Sequence, residues 1–104
     1  MRPYDLTPSA LDDLKEIARY TLTTWGEKQS LTYADLLEKH FCAMAARTAY
    51  ARTFSKRYPQ ILVSRCSHHY IFYLHPEGKP PCILAILHER MDIVNRLKNR
   101  LDES

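Results

Sequence analysis

The residues best suited to chemistry in this chain are five histidines, His40, His68, His69, His75 and His88, and three cysteines, Cys42, Cys66 and Cys82. Zinc is the first chemistry such a set suggests. The cysteines are widely spaced, and no pair falls at the short separations of a structural zinc site. His68 and His69 are adjacent, and neighbouring residues of a strand point to opposite faces, so the pair does not converge on one ion. We therefore expect no metal and no other cofactor. An odd number of thiols at these spacings also fits reduced, mostly buried cysteines rather than a disulfide framework.

Metal-free phosphodiester cleavage is the second chemistry. It needs a general base, a general acid and a cation beside the developing negative charge. His69, His88, Arg65, Arg90 and Tyr73 supply those residue types. The structural reading of the same residues places Tyr73 in the core and leaves Arg65 and Arg90 solvated. A third chemistry is binding alone. Trp25, the seven tyrosines and the arginines are the anchors that dominate protein interfaces. For Trp25 the competing expectation is that it closes the core between two helices, and His40 is expected at a core edge.

The elements that must position these groups follow from local pattern. Tyr4 and Leu6 alternate in an opening strand over residues 1–7. Thr7-Pro8 reads as a helix cap followed by proline at the first helical position, with Asp12 and Asp13 placed near the positive end of the helix dipole. Leu11, Leu14, Ile17, Ala18 and Thr21 recur at helical spacing up to Trp25, where Gly26 ends the helix. A second helix runs from about Glu27 to Arg47, with Tyr33, Leu37, His40, Phe41 and Met44 as its apolar stripe. The short turn between the two makes an antiparallel helical hairpin.

Residues 48–60 lack a clean period and end at Tyr58-Pro59, a boundary. Strands are then expected at Ile61–Cys66, His69–His75 and Cys82–His88, with Ser67-His68 and Pro76–Pro81 as turns. Asp92 caps a short last helix bearing Ile93, Val94, Leu97 and Leu101 on one face. The fold class is α+β: an N-terminal strand and a helical hairpin packed on a mostly antiparallel four-stranded sheet, closed by a C-terminal helix.

Length and composition fit that architecture. The 104 residues are 45% apolar and 26% charged, which suits one globular domain over residues 1–104. Two glycines cannot build a phosphate loop or a dinucleotide fingerprint. No apolar run reaches the roughly 20 residues that span a bilayer, and no signal peptide opens the chain. A cytoplasmic location is the expectation. The net charge of +3 is modest, but its distribution is not. From Lys39 to Pro76 there is no acidic residue against six basic ones, Lys39, Arg47, Arg52, Lys56, Arg57 and Arg65. That middle stretch favours an acidic partner.

Three stretches in order resemble the ParE branch of the ParE/RelE toxins of bacterial toxin–antitoxin systems. The first is Leu6-Thr7-Pro8-x-Ala10-x-x-Asp13-Leu14-x-x-Ile17-x-x-Tyr20, leading to Trp25-Gly26-x-x-Gln29 and Tyr33. The second is His69-Tyr70-Ile71-Phe72-Tyr73. The third is Ile83 to Asp92, a strand ending in His88-x-x-x-Asp92. The resemblance covers nearly the whole chain and implies the same strand–helix–helix–three-strand order.

It also implies a toxin that blocks DNA gyrase by stalling the cleaved-DNA complex. A cognate antitoxin would neutralise it through a disordered acidic segment that folds on binding. The antitoxin typically carries the DNA-binding domain, so the toxin need not read DNA itself; it could form a dimer or a toxin–antitoxin hetero-oligomer. In the family the C-terminal part bears on toxicity, which makes Arg90, Met91 and Asp92 candidates beside Arg65, His69, Tyr73 and His88. For Asp92 a helix cap is the competing role.

The ribonuclease branch, similar to RelE, is the alternative. Its central strand carries a catalytic arginine where this chain has His69. Arg90 matches its later arginine, yet no tyrosine follows Asp92, and Ile61–Ser64 lacks that branch's lysines. The chain also departs from the ParE pattern, since Ala49-Tyr50-Ala51 stands where a Pro-x-x-Gly turn is usual. A rearranged loop there, in the form of extra helix, is expected. A homologue that retains only antitoxin binding is a third reading.

Overall fold

The computed structural model describes residues 2–102. Its elements are β1 (Asp5–Leu6), α1 (Pro8–Trp25), α2 (Glu27–Ala45), β2 (Arg52–Thr53), β3 (Leu62–Cys66), β4 (His69–Leu74), β5 (Cys82–His88) and α3 (Ile93–Asp102). Met1, included in the expected opening strand, lies outside the described residues.

The strands form one sheet in the order β1-β5-β4-β3-β2. β1 lies parallel to β5, and the other pairs are antiparallel. The expected four strands are present, and β2 adds a fifth at the edge. It replaces the extra helix anticipated after α2. Arg52 pairs with Val63 and Thr53 with Leu62, a two-residue match too short to leave a period in the sequence.

Alternation along the strands splits the molecule into two apolar layers. Ile71, Tyr73, Cys66, Ile83 and Ile86 face α1 and α2, packing with Tyr4, Ala10, Leu37, Phe41 and Met44. Val63, Phe72, Ala85 and Leu87 face the other way, where Leu97 of α3 and the Phe54–Tyr58 loop cover them. The helical hairpin is therefore on one face of the sheet and α3 on the other.

One irregularity matters later. Tyr73 pairs with Ile83 while Phe72 pairs with Ala85, so Leu84 is an extra residue in β5. Leu84 and Ala85 consequently share a face, and the hydrogen-bonding direction of β5 changes parity beyond that point.

Local chemistry sets the helix boundaries. The Thr7 hydroxyl accepts the Ala10 amide at 3.1 Å, with Pro8 opening α1. Gly26 takes φ +93°, a left-handed value that separates α1 from α2 by one residue. Several sequence expectations need correction. No acidic residue occupies the first turn of α1; Asp13 falls a turn later and points to β5 instead. Trp25 does not close the hairpin core but is 64% exposed: helical spacing keeps it on the Leu14–Ile17–Thr21 stripe, but the hairpin end runs past the core, and residues 22–29 are all exposed. Leu11 also turns outward, Ala18 is exposed although it borders α2, and Ala10 is the α1 residue that is fully buried. Val94 is exposed rather than sharing the buried face of Leu97. α2 ends at Ala45, short of Arg47. Among the cysteines, Cys66 is buried but Cys42 is exposed.

Candidate functional site

β4 and β5 end side by side, and their register sets His69 directly opposite His88. Both side chains point to the α2 face, with ring centroids 5.1 Å apart and edge to face. His68 joins them from outside the strand. It sits in the two-residue turn between β3 and β4, where Ser67 adopts φ +55°. From there its ring stacks on His88 with centroids 6.2 Å apart. The strand-alternation argument against convergence does not apply to a turn residue, so the three rings gather around His88. Even so, no set of three His, Cys, Asp or Glu among the described residues has the geometry to hold a metal ion.

Each of the three imidazoles is hydrogen-bonded through its Nδ1. The Tyr33 hydroxyl, from the second turn of α2, lies 2.5 Å from His69 Nδ1. Burial, with the neighbouring His88 and His68, pushes the His69 pKa down to about 4, so the ring is neutral at pH 7. Burial also raises the Tyr33 hydroxyl above its usual value. Glu89, the residue after His88, is the hub on the outer side. It accepts from His68 Nδ1 at 2.8 Å and from Arg65 Nη2 at 2.5 Å. The hydrogen bond from His68, with Arg65 alongside, holds its carboxyl below the ordinary range. Arg65 also donates to the Ser67 carbonyl and lies over the Tyr70 ring, 5.4 Å from its centroid.

The chain then leaves the cluster through a tight turn. The Arg90 amide donates to His88 Nδ1 at 3.1 Å, and the Met91 amide donates to the His88 carbonyl at 3.0 Å. Arg90 and Met91 are exposed there. Asp92 acts as the start of α3: its carbonyl accepts the Arg96 amide, and its carboxylate accepts from the Asn95 side chain.

Six of the seven candidates therefore meet at one end of the molecule: Arg65, His69, His88, Arg90, Met91 and Asp92. Tyr73 does not. It lies four residues along β4 from His69, about 13 Å away at strand rise, and is buried in the core. Glu89 is the member that residue types alone did not single out. Its signal was scarcity, since Glu77 and Glu89 are the only carboxylates between Lys39 and Asp92.

A second feature lies on the helical hairpin. An open cleft of about 270 Å³ runs between α1 and α2, lined mainly by Leu14, Ile17, Ala18, Tyr33, Ala34, Leu37 and Phe41. Elsewhere on the hairpin, Leu22, Trp25 and Leu31 are exposed by 53%, 64% and 65%. At the base of the cleft the Tyr4 hydroxyl hydrogen-bonds the Glu38 carboxylate. Across the sheet edge, β2 and its flanking loops carry Arg47, Arg52, Lys56 and Arg57, all exposed. Lys39 is balanced by Asp35, as Arg65 is by Glu89, so the acid-free stretch concentrates its charge at that edge.

Residues 4–93 match the family described as the ParE toxin of the type II toxin–antitoxin system, parDE. The chain is also 42% identical over 101 residues to a protein named Toxin ParE from Escherichia coli, covering 97% of this chain and 98% of that one. No helix among the described residues is long and apolar enough to cross a membrane. With a match that takes in the hairpin, the central strands and the His88–Asp92 turn, the chain belongs to the ParE toxin family of type II toxin–antitoxin systems.

Proposed function

We propose that this toxin acts by binding rather than by turnover: it engages DNA gyrase, stalls the cleaved-DNA complex, and is neutralised by a cognate antitoxin. The observation that carries the non-catalytic part is the state of the histidine cluster. A general acid–base pair needs one imidazole that takes up a proton near neutral pH and a cation beside it. His69 is buried, neutral and engaged with Tyr33. Arg65 and His68 are both turned onto Glu89. Such an arrangement favours a rigid scaffold over a phosphodiester-cleaving site.

The exposed segment Arg90-Met91 stands on that scaffold, an arginine beside an apolar side chain, which is the composition of an interface anchor. The α1–α2 cleft and the basic edge around β2 suit the antitoxin: an apolar face of a folding segment in the first, its acidic residues at the second. Purified toxin added to gyrase and supercoiled plasmid tests the proposal. Linear plasmid accumulating after detergent and protease treatment supports it; unchanged supercoiling with cleavage of ribosome-bound mRNA overturns it.

A further inference from the structure

The carboxylate of Asp13 is placed where a helix normally carries a core side chain. It is 16% exposed and reaches β5, where Oδ2 accepts the Ile86 amide at 2.9 Å. Arg100, from the last turn of α3 on the opposite side of the sheet, grips the same carboxylate. Nη1 lies 2.6 Å from Oδ2 and Nη2 lies 3.2 Å from Oδ1. Arg100 Nη1 also donates to the Leu84 carbonyl at 3.3 Å, as does the Thr7 hydroxyl at 3.4 Å.

The backbone explains why these groups are needed. β1 covers only Cys82 and Ile83 of β5. Past that point the outer edge has no strand beside it, and the extra residue at Leu84 turns the Leu84 carbonyl and the Ile86 amide outward. Unpaired strand-edge groups that are half-buried cost stability. Asp13 serves as the missing acceptor and Arg100 as the missing donor, so the edge is closed by one ion pair.

The same pair ties α3 down. Leu97 anchors the helix in the second core and is fully buried, with Ile93 and Leu101 packed beside it on the same face, and Arg100 adds a polar contact near the far end of the helix. Arg100 lies eight residues beyond Asp92, about 12 Å along the axis. The covalent turn at one end, this apolar stripe and the ion pair at the other together fix the rotation of α3 about its axis. With it they fix the orientation in which Arg90, Met91 and Val94 face outward.

We propose that Asp13 and Arg100 form a positioning clasp for the target-binding segment, acting through α3 without touching the target. The inference rests on the gyrase-binding reading above for the identity of the target. The clasp itself is defined by contacts within the chain.

The test uses the full chain and the variants Arg100→Ala and Arg100→Lys, assayed well below their melting midpoints. For Arg100→Ala, the toxin concentration giving half-maximal plasmid cleavage is expected to rise about tenfold, less than loss of a contacting hot spot would cause, with the same final extent of cleavage. Amide exchange should quicken at Ile86 and across α3 while α1 and α2 stay protected. Arg100→Lys keeps a single ion-pair contact and is expected between Arg100→Ala and the wild type, which separates lost geometry from lost folding if the alanine variant is unstable. Unchanged potency in a variant whose α3 exchanges fast overturns the proposal, as does loss of protection in α1 and α2 along with α3. Should the wild type arrest growth yet leave gyrase untouched, the gyrase reading fails alone. Growth arrest by the same variants then judges the clasp: equal arrest overturns it, and the order wild type, lysine, alanine supports it. A wild type that arrests nothing overturns both.

Discussion

His69 is the residue whose environment differs most from what its type suggests. A histidine at the end of a central strand could be a base, yet burial and two neighbouring imidazoles keep it neutral down to about pH 4. The unfolded chain takes up that proton near pH 6.5. Between those values the unfolded state binds more protons, so folding stability is full above pH 6.5 and falls as the pH is lowered toward 4. The loss attributable to His69 is about 2 kcal/mol between pH 7.5 and pH 5. Urea unfolding at the two values, compared with His69→Gln, measures it; the variant should lack most of the difference, and an equal slope would remove His69 as its source. Arg90 is the opposite case. Its side chain is exposed and its amide, not its guanidinium, makes the turn. Arg90→Ala is expected to raise the half-maximal toxic concentration by about five- to tenfold while leaving the thermal midpoint unmoved. A fully toxic variant, or one without a thermal transition, would remove it from the interface.

At the scale of elements, each helix tests a different part of the account. Leu97 is fully buried and holds α3 on the sheet, so Leu97→Ala should cost about 2–4 kcal/mol in a denaturant titration. Trp25 stands at the hairpin end, largely exposed, and contributes little to folding. Trp25→Ala should change stability by less than about 0.5 kcal/mol but weaken antitoxin binding about tenfold in calorimetry; unaltered affinity would take the hairpin tip out of the antitoxin site. These elements also show what a sequence reveals. β3, β4 and β5 were legible because their alternation is regular, and α1 because Thr7-Pro8 and Gly26 mark its ends chemically. β2 was not, since its identity depends on pairing with Leu62 and Val63 rather than on its own two residues. The exposure of Trp25 was hidden because an apolar residue at a helix end fits either a core or an interface. In the site, the gathering of His68, His69 and His88 depended on the turn at Ser67, and the role of Glu89 emerged only from its tertiary partners.

Across the whole molecule, the modest net charge is divided unevenly. Glu89 pairs with Arg65 and Asp13 with Arg100 beside β5, while Arg47, Arg52, Lys56 and Arg57 leave the β2 edge positive. The antitoxin should therefore associate faster at low ionic strength, with the rate falling as salt screens that edge. The sheet divides the remaining work, with the cleft on the helical-hairpin side and the Arg90–Met91 segment held beside α3. In the binding reading proposed above, neither surface makes or breaks a bond. A toxin that works this way must be consumed in proportion to its target. The direct measurement is a titration of purified toxin against a fixed amount of gyrase on supercoiled plasmid. Cleaved plasmid should rise with toxin and level off near equimolar toxin and gyrase. Trace toxin degrading ribosome-bound mRNA through many turnovers, with gyrase unaffected at equimolar toxin, would contradict it.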